Sequence, residues 1–292
     1  MRLDDEQEST NFEDRRGGGG GMPGGARGVG IGTIVIALAA SYFFGIDPST
    51  VISVASQMQG GEESRAVSQE TRVHQSPASD PQTKFILKVL HTTEQTWSAI
   101  FAEQGRQYVP PTLVVFTGRT STACGTGESA MGPFYCPADS KVYIDLAFYR
   151  DLQNRFKAPG DFAQAYVIAH EVGHHVQHLL GISAKVQQAR QQATPTQGNA
   201  LSVKLELQAD CLAGVWAARA NEAKQILDTG DIEEALTAAS AIGDDRLQQQ
   251  SRGTVAPDSF THGSSAQRMR WFKRGIDSGD MNQCNTFKAS NL

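Results

Sequence analysis

The stretch Asp161-Phe162-Ala163-Gln164-Ala165-Tyr166-Val167-Ile168-Ala169-His170-Glu171-Val172-Gly173-His174-His175-Val176-Gln177-His178-Leu179-Leu180-Gly181 decides how this chain folds. Its apolar residues recur at helical spacing, Gly160-Asp161 offers an N-cap, and Gly181 stands where a helix-ending glycine belongs. On such a helix His170 and His174, at i and i+4, project from one face and can grip a single ion, with zinc the natural occupant. Glu171 follows the first histidine and is spaced to reach a water beside the ion rather than the ion itself. Zinc lowers the pKa of such a water toward ~7, which suits a carboxylate acting as general base during attack on a carbonyl. His175 and His178 read as helix-surface or packing residues.

A catalytic zinc usually has three protein ligands and one open position. The third is sought on a second helix, in Leu205-Glu206-Leu207-Gln208-Ala209-Asp210. Here Glu206 is the candidate ligand, and Asp210 the acceptor for the outer N–H of a ligating imidazole. Leu201, Val203, Leu205, Leu207, Leu212 and Val215 mark this helix as buried, where an unpaired carboxylate is costly. His178 and Asp210 are the remaining alternatives for the third ligand.

Working outward, Thr83–Glu103 has helical spacing, Leu113–Phe116 reads as a buried strand, and Lys141–Leu146 alternates as a strand does. Gly118–Pro137 is loop-rich. Further helices are expected over Leu201–Ala220, Asp231–Ala241 and Ser265–Arg274. The Gln-rich connection from Ala184 to Asn199 reads as a loop or a lid. The pattern is α+β, mainly helical with a small sheet. A chain of 292 residues with 39% hydrophobic content can bury a sizeable core. A net charge of −5 without a basic stripe excludes a nucleic-acid-binding surface.

Upstream of that domain the composition changes. Residues 1–27 are charged and then glycine-rich, and read as a disordered cytoplasmic N-terminus. Within 28–46, the uncharged run Val29–Ile46 reaches about 27 Å as a helix, just enough for one transmembrane crossing. Arg15, Arg16 and Arg27 precede it, which by the positive-inside rule leaves the N-terminus in the cytoplasm. A cleaved signal peptide ending near Ala37-Leu38-Ala39 and a twin-arginine signal at Arg15-Arg16 compete with this reading. Residues 47–80 read as a flexible linker and 81–292 as the catalytic domain. Four cysteines suit an oxidising compartment. Of their three pairings, one joins Cys124 to Cys136 and leaves Cys211 with Cys284.

These motifs resemble the neutral zinc metallopeptidase family, a bacterial membrane-anchored group. The likeness runs through Arg2-Leu3-Asp4-Asp5, Glu13-Asp14-Arg15-Arg16, Gly132-Pro133-Phe134-Tyr135-Cys136-Pro137, Ala158–Tyr166, His170–His174, Glu206–Asp210 and Asp258-Ser259-Phe260-Thr261-His262-Gly263. It implies a zincin-like fold and a metallopeptidase that takes a peptide or protein substrate. Zincins of this kind seat substrate along a sheet edge beside the zinc helix, and Val142–Asp145 is the nearest upstream strand. A more distant likeness to HtpX-type membrane gluzincins points to His262 and Arg268 as stabilisers of the tetrahedral oxyanion. The alternative for these two is an ion pair at Arg268 and a helix cap at His262. This chain departs from that group in having Gly263 where a proline is usual, and one span in place of several.

The expectation is therefore a single-pass protein of the bacterial inner membrane, its catalytic domain periplasmic, hydrolysing peptide bonds at zinc. The rivals are a silent zinc-binding scaffold and a hydrolase of another amide such as a cell-wall cross-link. Oligomeric state is not legible from the sequence.

Overall fold

The run Thr112–Phe116 is apolar at every position after the first, as a strand covered on both faces must be. In a computed structural model of the chain, which describes residues 1–16 and 80–292, it is an inner strand of a four-stranded sheet. The strands are β1 (Phe12–Asp14), β2 (Thr112–Phe116), β3 (Arg119–Thr122), β4 (Gly125–Glu128), β5 (Phe134–Cys136) and β6 (Lys141–Asp145). The order is β1-β2-β6-β5, with β1, β2 and β6 parallel and β5 antiparallel at one edge. Because side chains alternate along a strand, Leu113, Val115, Val142 and Ile144 enter the main core. Val114, Phe116, Tyr143 and Cys136 form a second, smaller cluster on the other face. The β3–β4 hairpin closes over that cluster, and a Cβ added at Gly127 would lie 2.5 Å from the Phe134 ring.

The helices are α1 (Pro81–Glu103), α2 (Ala147–Asn154), α3 (Asp161–Leu179), α4 (Ile182–Gln191), α5 (Pro195–Lys224), α6 (Asp231–Ala241), α7 (Asp244–Arg252) and α8 (Ser265–Ser278). Their starts follow from local chemistry. Asp80 accepts from Thr83 N at 2.8 Å ahead of Pro81, while Thr194 with Gln197 and Ser264 with Gln267 form capping boxes. Gly181, left-handed at φ 71°, closes α3 as expected, but Gly160 lends no side-chain cap. Glu234 of α6 accepts from Phe162 N in its place. The Gln-rich connection is not a loop, since α4 and the first turn of α5 occupy it. Two disulfides, Cys124–Cys136 and Cys211–Cys284, tie the hairpin region to β5 and the C-terminal turn to α5.

The N-terminus departs most from expectation. Residues 1–16 are folded into the same compact unit as residues 80–292. Leu3 is buried, β1 pairs along β2 in the register Phe12↔Leu113, and Arg2 N donates to the Ile226 carbonyl at 2.7 Å. The Met1 ammonium lies 2.6 Å from Asp161 and 3.5 Å from Asp231, filling an acidic cluster at the start of α3. Charged residues spaced between Leu3 and Phe12 misled the composition argument, because a short edge strand needs few apolar positions. The expected span at 28–46 and the linker at 47–79 lie outside the described residues. Among the described residues no helix is long and apolar enough to cross a membrane. The assignment to the inner membrane, with a cytoplasmic N-terminus and a periplasmic catalytic domain, is therefore overturned.

Candidate metal centre

Two helices build the site. α3 presents His170 and His174 one turn apart, their ring centroids 4.8 Å from each other. α5 crosses beside them and presents Glu206. Nε2 of His170 lies 3.2 Å from Oε2 of Glu206, and Nε2 of His174 lies 3.5 Å from Oε1. Donors around a tetrahedral zinc at ~2.0–2.1 Å stand about 3.3 Å apart, so these separations fit that ion. The three residues place donor atoms that could hold a metal within 4.8 Å of one another. The crossing is close because both helices carry small residues at it. A Cβ on Gly173 would come 3.0 Å from the Ala209 carbonyl oxygen. Glu171 is buried next to the pair, outside the donor set, and its charge acts on His174.

Behind His170 lies a fully buried polar knot. Asp210 accepts from His170 Nδ1 at 2.8 Å, from the Tyr166 hydroxyl at 2.5 Å, and from Arg268 through Nε and Nη2, each at 2.8 Å. Tyr166 and Arg268 can only donate to an ionised Asp210, so His170 carries a hydrogen on Nδ1, and Nε2, which faces Glu206, is the nitrogen that a metal would take once its proton is displaced. Burial alone would raise Asp210, but Arg268 and His170 hold it well below the usual carboxylate range. Burial likewise opposes charge on His170, yet Asp210 and Glu206 carry its pKa up to about 9. Burial would raise Glu206, and the two imidazoles hold it far down instead. Without a metal the imidazoles therefore keep protons that a metal must displace, so metal affinity falls as the pH drops.

The two candidate oxyanion residues part company here. Arg268 is buried, its Nε and Nη2 committed to Asp210 and Tyr166, so the ion-pair alternative describes its position. His262 is half-exposed on the loop before α8. Its Nδ1 lies 3.3 Å from Asp244, and the backbone N–H groups of Thr261, His262 and Gly263 donate to the same carboxylate. The hydrogen bond to Asp244 raises the His262 pKa against its partial burial, and the charge of Glu206 adds to the rise. Ser264, not His262, caps α8. Sequence reading missed Tyr166 and Asp244. Tyr166 sits four residues before His170 on the same stripe, a polar tip on an otherwise apolar face, and that was its available signal. Asp244 acts on a loop distant in sequence and left none. The sheet ends in β1 on one side and β5 on the other, with β6 between β2 and β5. Val142–Asp145 is thus an inner strand, and Phe134–Cys136 is the edge strand that abuts α3.

Two histidines and a glutamate on crossing helices, with a further glutamate beside them, form a donor set that could hold one metal ion. The chain belongs to the family described as "Putative neutral zinc metallopeptidase", whose model matches residues 1–287. It is 52% identical to the uncharacterized protein YpfJ of Escherichia coli strain K12, over 99% of this chain and 100% of that one. An uncharacterized protein of Mycobacterium tuberculosis strain H37Rv is 41% identical, over 76% of this chain and 80% of its own. No solved structure matches.

Proposed function

We propose that this chain is a zinc metallopeptidase in which His170, His174 and Glu206 hold the ion and Glu171 is the general base. The observation that carries the reading is the division of labour on α3. Both Nε2 atoms converge on Glu206, while Glu171 is left out of the donor set. A site whose zinc served stability alone would close its fourth position and would not need that extra carboxylate. Zinc in this cage would polarise the scissile carbonyl and acidify a neighbouring water. Glu171 would take that water's proton on a carboxylate oxygen and pass it to the departing amine. His262, near enough to feel Glu206, would donate toward the oxygen that gains charge, while Arg268 acts through Asp210 to hold His170.

The outer edge of β5 is where an extended peptide would pair. β5 abuts α3, and Tyr135 on it meets His175, the residue after the second ligand, at 2.9 Å. The two disulfides favour an oxidising compartment for this chemistry. The test uses the full chain, because residues 1–16 belong to the fold. Glu171→Gln should keep one zinc per chain and lose at least about 10²-fold of its cleavage of a casein-like protein. Full activity in that variant would sink the enzymatic reading. Activity confined to purified cell wall would move the substrate from protein to another amide.

A further inference from the structure

The knot behind His170 has a counterpart behind His174, made of uncharged groups. Gln177 lies three residues on along α3 and is completely buried. Its Oε1 is 2.9 Å from Nδ1 of His174, and its Nε2 is 2.7 Å from the Leu205 carbonyl and 3.1 Å from Oε1 of Gln208. A backbone carbonyl only accepts, so the amide corner facing Leu205 must be the NH₂ group. That turns Oε1 toward His174, whose Nδ1 then has to carry a hydrogen. Gln208 is oriented by the same logic. Its Nε2 donates to the Cys284 carbonyl at 2.9 Å, which leaves its oxygen to receive Gln177. Cys284 is bonded in turn to Cys211 on α5.

We infer that Gln177, seated by Gln208 and the carbonyls of Leu205 and Cys284, is the positioning residue that fixes the tautomer and ring orientation of His174. The inference rests on the zinc reading above. Two main-chain oxygens set two amides, and the amides set which imidazole nitrogen faces the metal. The supports of both histidines converge on two turns of α5, where Glu206, Gln208, Asp210 and Cys211 follow one another. His170 leans on a carboxylate and His174 on an amide, so the two imidazoles are held alike but only one is backed by a full negative charge. The Cys211–Cys284 bridge takes a part in this, because it anchors the short turn Met281–Cys284 that offers the last carbonyl.

The test compares Gln177→Leu, Gln177→Glu and wild type, each as full-length protein, by chelator competition for zinc and by thermal melts of the metal-free forms. Gln177→Leu removes the acceptor and should weaken zinc by about 10- to 100-fold. Gln177→Glu keeps an acceptor facing Nδ1 but loses both donors, so it should melt as low as the leucine variant while holding zinc within about threefold of wild type. Cobalt substituted for zinc should show an altered visible spectrum in Gln177→Leu alone. A residue that merely bridges α3 to α5 would give equal zinc losses in both variants, tracking their melting points, and that result overturns the proposal. So does a leucine variant that binds zinc like wild type. Should both variants fail to fold, zinc-loaded wild type still decides by nuclear magnetic resonance. His174 Nδ1 should show a slowly exchanging proton, and its absence overturns the proposal. Wild type that takes up no zinc would instead sink the metal reading itself.

Discussion

Two glycines on one helix should respond oppositely to the same substitution. Gly198 and Gly214 both lie within α5, where replacing glycine by alanine relieves a backbone-entropy cost of up to ~1 kcal/mol. At Gly198 an added Cβ would meet only Arg190 Nε at 3.9 Å, an ordinary contact. At Gly214 it would lie 2.2 Å from the Phe272 carbonyl oxygen, 2.7 Å from Ile276 N and 3.0 Å from Gly275 Cα. These are all backbone atoms of α8, so no rotamer change can clear them. A carbon normally approaches a carbonyl oxygen to about 3.3 Å, so α8 would have to retreat by about 1 Å. Gly275 faces the same crossing, and a Cβ there would come within 1.9 Å of the Cys211 oxygen.

The retreat matters for the site because α8 carries Arg268 and α5 carries Asp210. Overpacking costs about 1–3 kcal/mol, and loosening a buried ion pair adds to that. After subtracting the helix gain, Gly214→Ala should lose about 2 kcal/mol or more. At ~2–4 °C per kcal/mol for a domain of this size, the melting point should fall by about 4–8 °C. Gly198→Ala should raise it by about 1–4 °C. Circular-dichroism melts of metal-free, disulfide-intact protein read both, and zinc titration should show weakened binding in Gly214→Ala alone. Shifts of the same sign in the two variants would refute the claim of backbone contact. A Gly214→Ala protein that is destabilised yet binds zinc normally would refute the coupling of that contact to His170.

Three further outcomes follow from buried groups and from the N-terminal strand. His175 is fully buried, bonded to Tyr135 and to the Val109 carbonyl, and burial pushes its pKa down to about 4. Between about pH 6.5 and 4 the unfolded chain takes up a proton that the folded chain refuses, so stability falls as the pH falls, by about 3 kcal/mol across the window. Urea melts of metal-free protein at pH 7 and pH 5 should show about 2 kcal/mol of that loss, and His175→Gln should shrink it. Asp210→Asn strands the Arg268 guanidinium in the core and should cost about 3–5 kcal/mol by the same melts, with Asp210→Asn/Arg268→Met less unstable than the single variant. Deleting residues 1–16 strips β1 from β2 and should lower the melting point and expose a new sheet edge that self-associates on gel filtration.

Much of the site was legible because its chemistry follows helical periodicity. His170, Glu171 and His174 declare themselves by i, i+1, i+4, and Glu206 with Asp210 by i, i+4 on a helix too apolar to bear idle carboxylates. Periodicity also located the cores of α1, α3, α5, α6 and α8, although it stopped α5 short at Leu201 by discounting the capping box at Thr194. What it could not supply is pairing between distant segments. The edge position of β5, the pairing of β1 with β2, and the grip of Asp244 on the loop at His262 are facts of topology, set by contacts across tens to a hundred residues. α7 escaped because its polar residues form a short surface turn with little apolar stripe to detect.

The positions between the ligands are as informative as the ligands themselves. In His170-Glu171-Val172-Gly173-His174 the glycine lies where α3 meets α5, and in Glu206-Leu207-Gln208-Ala209-Asp210 the alanine lies opposite it. A larger side chain at either place would push the helices apart by a few tenths of an ångström or more. Glu206 meets the two imidazoles at 3.2 and 3.5 Å, separations that leave little slack around a small ion. The close approach of the two main chains is thus part of the proposed metal site, and the second close crossing, at Gly214 and Gly275, sets Arg268 against Asp210. Leu207 and Val172 fill the core beside these contacts and Gln208 reaches back toward Gln177, so each intervening residue has a physical reason to be there. A chance pentapeptide on a solvated helix would have none of them, and this is why the motif can be read as a site.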